Sequence, residues 1–201
     1  ISSRDRMKVS IFGMGYVGAV SAACLARDGH HVVGVDLDPV KLELLRNGKS
    51  PIVEEGIQDL TSEVVKAGRL KVTNDAAAAV RDTDLSFVCV GTPASSNGRQ
   101  DLTAIMRLAD QLGLVLKDKT EFHTIVIRST VEPGTVEEQV LPRIEKQSGK
   151  KAGVGFGLCF QPEFLREGTS IKDYDAPPFT IVGSACDRSS AALRDLFGHL
   201  P

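Results

Sequence analysis

Apolar residues in this chain fall into short unbroken runs, separated by longer stretches in which they recur at helical spacing. Residues 9–12, 32–35, 70–73, 85–90, 124–128, 157–160 and 180–182 read as strands. The run L-S-F-V-C-V at 85–90 lacks polar alternation, as expected of a strand buried on both faces. Helical segments lie between the runs. Residues 17–27 form the first. Asp38 followed by Pro39 supplies an N-cap and a first-turn proline for a second, which carries Leu42, Leu44 and Leu45 until Asn47 and Gly48 stop it. Asp101 and Gly134 begin others, and the alanines at 76–79 read as a helix face. Strand and helix alternating in this way predict an α/β fold: a doubly wound, mainly parallel sheet with helices on both faces. One domain over 7–201 is the simplest account. Residues 1–6 lack an apolar signal-peptide core and read as a leader ahead of Met7.

The first strand runs into Gly13, Gly15 and Gly18, the G-x-G-x-x-G spacing, where a strand must turn into a helix. Gly13 permits the turn, Gly15 keeps a Cβ from between backbone and ligand, and Gly18 lets the helix pack closely on the sheet. Phosphates then sit on free N–H groups at a positive helix end. The second strand ends in Asp36, eighteen residues past Gly18. A carboxylate there accepts ribose hydroxyls and repels a 2′-phosphate, so this Rossmann-like pattern predicts NAD over NADP. Leu37 and Asp38 follow, and no cation comes before Lys41.

An open parallel sheet binds ligands beyond the carboxyl ends of its strands. Three segments should share that rim with the glycines: 91–93, 129–135 and 161–168. They offer the hydroxyls of Thr92 and Thr130 and the carboxylates of Glu163 and Glu167, which are four apart and share a face if that stretch is helical. A solvated helix face or a first-turn capping carboxylate explains the same pair.

Composition narrows the partners. With 42% hydrophobic and 25% charged residues and a net charge of −2, the chain is an ordinary globular one with no electrostatic footprint for nucleic acid or an anionic membrane. Cys24, Cys89, Cys159 and Cys186 are widely spaced in apolar contexts, as small buried hydrophobes of a reducing, cytoplasmic setting. His30, His31, His123 and His199 read as loop or strand-edge imidazoles. Neither residue type has metal-ligand spacing, and no metal is expected.

The chain resembles the nucleotide-sugar 6-dehydrogenase family, which includes UDP-glucose and GDP-mannose dehydrogenases. The resemblance covers residues 7 to about 200. It rests on G-x-G-Y-V-G at 13–18, V-D at 35–36, Lys41, N-G-K-S-P-I-V-E at 47–54, V-G-T-P at 90–93, R-S-T-V at 128–131, P-G-T at 133–135 and P-E-F-L-R-E at 162–167. The stretch 171–183 is more similar to the GDP-mannose branch. The resemblance implies a two-step oxidation of a sugar C6 alcohol to a carboxylate with two NAD, with GDP-mannose the preferred nucleotide sugar. It implies that Tyr16, Val17, Asp36, Lys41, Thr92 and Thr130 touch NAD. Glu167 would reach substrate or the nicotinamide end, and Thr130 with Glu163 or Glu167 would position a water. Gln161 stands where the family usually has Asn or Ser.

The family's G-G-x-C-x-P-K-D motif, whose cysteine forms a thioester, has no counterpart here. Nor do the lysine and asparagine of its long central helix. The resemblance therefore suggests the amino-terminal half of a dehydrogenase, inert alone, with the central helix, its homodimer contacts and the sugar-nucleotide domain outside it. A UDP-glucose dehydrogenase fragment and a stand-alone NAD-binding module are the alternatives. The missing helix should leave apolar surface exposed around Leu193, Leu196 and Phe197.

Overall fold

Successive side chains of a strand face opposite sides of a sheet, and the inner strands divide accordingly. In β1 (Lys8–Phe12), Val9 and Ile11 enter the core on one face and Phe12 the core on the other. In β4 (Leu85–Val88) Phe87 and Val88 part in the same way, as does Val126 from Ile125 and Ile127 in β5 (Thr124–Ile127). Both sets are fully covered, which is why these runs show no polar alternation. The computed structural model describes residues 6–95 and 98–201. Apart from Arg6, the expected leader lies outside them.

With β2 (His31–Val35), β3 (Leu70–Thr73), β6 (Gly157–Phe160) and β7 (Gly183–Ser184), the sheet runs in the order β3-β2-β1-β4-β5-β6-β7. All pairings are parallel except the last. The first face carries α1 (Tyr16–Arg27), α2 (Pro39–Arg46), α3 (Ile57–Lys66), α7 (Ser170–Asp175) and α8 (Asp187–Phe197). The second carries α4 (Ala76–Arg81), α5 (Thr103–Asp118) and α6 (Leu141–Ser148). The strand order reverses between β1 and β4, which opens a crevice at their carboxyl ends.

Helix α1 is apolar all round and buried from Gly18 to Ala26, as a helix enclosed between sheet and other helices must be. Asp38 caps α2 as expected, its carboxylate accepting the Val40 N–H at 2.9 Å, and Gly48 ends the turn with φ of +68°. Asp75 caps α4, the helix expected around the alanines, through the Ala78 N–H. Asp101 holds the Thr103 N–H at 2.9 Å, just ahead of α5. The helix expected after Gly134 opens as a π-helical turn, Val136–Val140, before α6. Pro142 has no N–H to donate to the Glu138 carbonyl, which favours the wider turn there.

Three expectations need correction. The strand expected at 180–182 is instead the two-residue β7 just beyond it, antiparallel at the sheet edge, because only Gly183 and Ser184 reach β6. The strands expected over 85–90 and 124–128 end earlier, at Val88 and Ile127. There the Arg128 and Ser129 N–H groups both turn onto the Val88 carbonyl. Leu193, Leu196 and Phe197 are buried, since α8 folds back onto the sheet and sets Phe197 edge-on to Phe87 at 6.1 Å. His123 stands, as expected, in the loop at the edge of a strand, directly before β5, but it is fully buried. Its ring nitrogens meet the Ser86 hydroxyl at 2.7 Å and the Thr83 carbonyl at 3.0 Å, and Ser86 in turn meets Ser10 at 2.6 Å. Burial first, and the Lys119 ammonium second, pull its pKa down to about 3.

Candidate functional site

The glycine loop closes the crevice at the end of β1. The Gly13 N–H donates to the Val35 carbonyl at 2.8 Å, and Gly13 holds φ of +93° where a Cβ would stand 2.9 Å from the Cys89 carbonyl oxygen. A Cβ on Gly18 would stand 1.8 Å from the Gly13 carbonyl oxygen. The fold therefore demands both of these glycines. Gly15 is different: its backbone is extended, with φ of −78°, and a Cβ there would meet nothing within 4 Å. No packing reason keeps the side chain away, and the space in front of it is open.

Gly15 is also the N-cap of α1, and it has no side chain to cap with. No acidic residue lies in the first turn. A twelve-residue helix thus points its positive end, with no capping side chain and no acid in its own first turn, into that open space. This arrangement fits a pyrophosphate, and the half-buried Tyr16 and Val17 flank it.

Asp36 lies beside the loop. One carboxylate oxygen accepts the Met14 N–H at 2.7 Å and the other the Asp38 N–H at 2.9 Å. These bonds fix its plane while lone pairs remain for hydroxyl donors. Lys41, the nearest cation in sequence, is brought back by the first turn of α2 to 3.7 Å from Asp36. The two residues form one charged pair at the end of β2.

Across the crevice, the Thr92 hydroxyl donates to the Thr130 carbonyl at 2.7 Å. Gln100 braces the same loop, with Nε2 at 3.2 Å from that carbonyl and Oε1 accepting the Glu132 N–H. Thr92 and Thr130 are thus brought together as expected for one rim. Glu163 and Glu167 do not share a helical face: 161–166 has no regular secondary structure and 167–169 is a turn. Pro162 near the start of the segment disfavours a helix through it. Glu163 is half-buried and its Oε2 accepts the Leu165 N–H at 2.5 Å, whereas Glu167 is exposed.

Three residues of the rim carried no role in the sequence reading. Arg128 and Gln161 are buried at 7% and 3% exposure and line a cavity of about 30 Å³ with Glu163. The Arg128 guanidinium rests over Phe87 and Phe197, and its Nε and Nη1 have no partner among the described residues, nor does Gln161 Oε1. The third is Glu54, which bonds Tyr16 and two backbone N–H groups of the 166–170 turn. Its only signal was membership of the stretch 47–54.

The cysteines are unevenly placed. Burial pushes the Cys24 and Cys89 thiols up to about 12, and it raises that of Cys159. Cys186 departs from the buried, inert reading. Partial burial raises its thiol, but N–H groups at the start of α8 outweigh this and hold it below the ordinary value. That helix start lies by Gly157, at the end of the sheet opposite the rim. Among the described residues no group of three or more His, Cys, Asp or Glu is placed to hold a metal, and no helix is long and apolar enough to cross a membrane.

Residues 7–201 match the model of the UDP-glucose/GDP-mannose dehydrogenase family, NAD binding domain. The chain is 53% identical over 194 residues to a GDP-mannose 6-dehydrogenase of Pseudomonas syringae pv. syringae, a match covering 96% of this chain and 44% of that protein. It is 40% identical over 194 residues to a UDP-glucose 6-dehydrogenase of Haloferax volcanii, covering 96% of this chain and 45% of the relative. A crystal structure of a ternary complex of GDP-mannose dehydrogenase from Pseudomonas aeruginosa superposes with a TM-score of 0.95 at 50% identity, over 96% of this chain and 44% of that one. The chain thus spans a little under half the length of these relatives. It belongs to the UDP-glucose/GDP-mannose dehydrogenase family, with the family's NAD-binding domain in residues 7–201 and NAD as its cofactor.

Proposed function

We propose that this chain is the cofactor-holding part of a GDP-mannose 6-dehydrogenase. The overall reaction takes GDP-mannose, two NAD and water to GDP-mannuronate and two NADH, with release of protons. The observation that carries the reading is Gly15, a glycine with no packing reason to be one, at the open positive end of α1 beside a fixed carboxylate. Bound NAD supplies the hydride acceptor. The N–H groups of α1 and the backbone at Gly13, Gly15 and Gly18 hold the pyrophosphate, flanked by Tyr16 and Val17. Asp36 accepts the ribose hydroxyls, Lys41 steadies that carboxylate and reaches the same ribose, and Thr92 and Thr130 border the cofactor's far end. Thr130 with Glu163 or Glu167 orients the sugar or a water, and Glu167 is the carboxylate most open to substrate.

GDP-mannose is favoured over UDP-glucose because identity to the GDP-mannose enzymes is higher, 53% against 40%. The thiol step belongs to none of the four cysteines, since Cys24, Cys89 and Cys159 are buried as thiols and Cys186 is at the wrong end of the sheet. The chain alone then binds NAD without turning over sugar. The setting we infer from four free cysteines is cytoplasmic.

Two results are expected. Asp36→Ala weakens NAD binding by about 1–3 kcal/mol, the worth of charge-assisted hydrogen bonds to the ribose; calorimetry showing unchanged affinity would remove Asp36 from the site. Incubation of the chain with NAD and GDP-mannose, or UDP-glucose, yields no NADH. Steady NADH production would show that the chemistry is complete within these residues.

A further inference from the structure

Glu54 stands between two loops that are remote from it in sequence. Its Oε2 accepts the Tyr16 hydroxyl and, at 2.8 Å, the Gly168 N–H, while Oε1 accepts the Ser170 N–H at 3.1 Å. The segment that carries it is braced from within. Ser50 Oγ donates to the Ile52 carbonyl at 2.8 Å, and the Gln58 side chain spans the Ser50 N–H and the Gly48 carbonyl, each at 3.0 Å. Gly56, with φ of +76°, then turns the chain into α3. The carboxylate is therefore presented from a fixed base.

Both of its partners are functional in position. Tyr16 directly follows Gly15 as the first residue of α1. Gly168 and Ser170 directly follow the segment that bears Glu163 and Glu167, in a turn that Asp173 closes by bonding Arg166 at 2.6 Å and Thr169 at 2.9 Å. Burial, and then the bond to Glu54, push the Tyr16 hydroxyl up, and the same bond holds the Glu54 carboxyl below its usual range. The tyrosine is thus the donor and the carboxylate the acceptor.

We infer that Glu54 is a positioning residue that couples the dinucleotide loop to the glutamate loop, so that fixing Tyr16 beside the cofactor also fixes the turn after Glu167. The inference rests on the reading that residues 13–18 receive the dinucleotide. Coupling of this kind is reciprocal: whatever holds the 166–170 turn in place must also favour the cofactor-bound position of Tyr16.

The test uses the whole chain with NAD, measuring affinity by calorimetry and amide exchange at Gly168 and Ser170. Wild type should bind NAD and slow exchange at both amides about tenfold. Glu54→Ala and Tyr16→Phe should each raise the NAD dissociation constant about tenfold, their combination should raise it no further, and neither should retain the NAD-dependent slowing. The phenolate titration adds a spectroscopic signature. The chain has two tyrosines, and buried Tyr174 is raised well above the ordinary value, so the first step belongs to Tyr16 and should fall toward the ordinary value in Glu54→Ala. Should Glu54→Ala not fold, Tyr16→Phe alone must lose the NAD-dependent protection. NAD binding undiminished in the variants, additive losses, or protection that persists without the Glu54–Tyr16 bond would overturn the coupling. Failure of wild type to bind NAD would overturn the dinucleotide reading and the coupling with it.

Discussion

Replacing Gly15 by alanine should leave stability within about 0.5 kcal/mol of wild type while raising the NAD dissociation constant by about 10- to 100-fold. A Cβ at Gly15 meets nothing in the folded chain, so the fold has no reason to resist it. It would intrude only on a ligand lying against the backbone, and an added methyl group in a well-filled contact costs about 1–3 kcal/mol. Gly18→Ala is the contrasting case. Its Cβ would stand 1.8 Å from the Gly13 carbonyl oxygen, so α1 must move away from the loop or the loop must lose its shape. About 3 kcal/mol of stability should be lost, a fall of about 6–12 °C in Tm for a chain of this size, and NAD binding should be lost with it. Thermal melts and calorimetry on the two variants separate a glycine kept for the ligand from one kept for the fold. A Gly15→Ala protein that binds NAD as wild type does would remove the observation on which the functional reading rests.

Acidification should destabilise the protein through His123 by about 3 kcal/mol between pH 7 and pH 4. The sign follows from the shift. The folded pKa is about 3 and the unfolded value 6.5, so below pH 6.5 the unfolded chain takes up a proton that the folded chain refuses. The contribution is fully present above pH 6.5 and drains away as pH falls toward 3. Burial of the ring is the main cause. Lys119 adds to it with its ammonium held on the Val80, Arg81 and Thr83 carbonyls at 2.8–3.0 Å, and among the described residues no carboxylate bonds the imidazole. His123→Gln should be less stable at neutral pH, having lost part of the Ser86 and Thr83 bonding, yet lose less on acidification. Denaturant titrations at pH 7, 5.5 and 4 check this, and parallel pH slopes for the two proteins would show that His123 takes a proton in the folded state.

The parts of this molecule that were legible in the sequence are those fixed by local chemistry. Six strands, the helix cap at Asp38 and the stop at Gly48 depend on residues within one turn of each other. The glycine spacing and Asp36 were readable because the turn and the adjacent strand end are built from a single β-α-β stretch. The misses depend on distant partners. The edge strand β7 exists only where β6 offers two free pairing positions. A lone histidine gives no sign that a serine hydroxyl and a backbone carbonyl, from 37 and 40 residues away, will satisfy its ring. Glu54 meets Tyr16 across 38 residues and the 166–170 turn across more than a hundred, so spacing could not mark it. Leu193, Leu196 and Phe197 find their cover on the sheet face around Phe87, more than a hundred residues earlier, which nothing in their own stretch of sequence marks.

The most direct test of the account is a calorimetric titration of the chain with NAD and, separately, with NADP. The account predicts saturable binding of NAD at one site and binding of NADP weaker by at least about tenfold, because the Asp36 carboxylate meets a 2′-phosphate with like charge. NADP binding as tight as NAD would contradict the role given to Asp36, and absence of NAD binding would contradict the assignment of the glycine loop as the cofactor site.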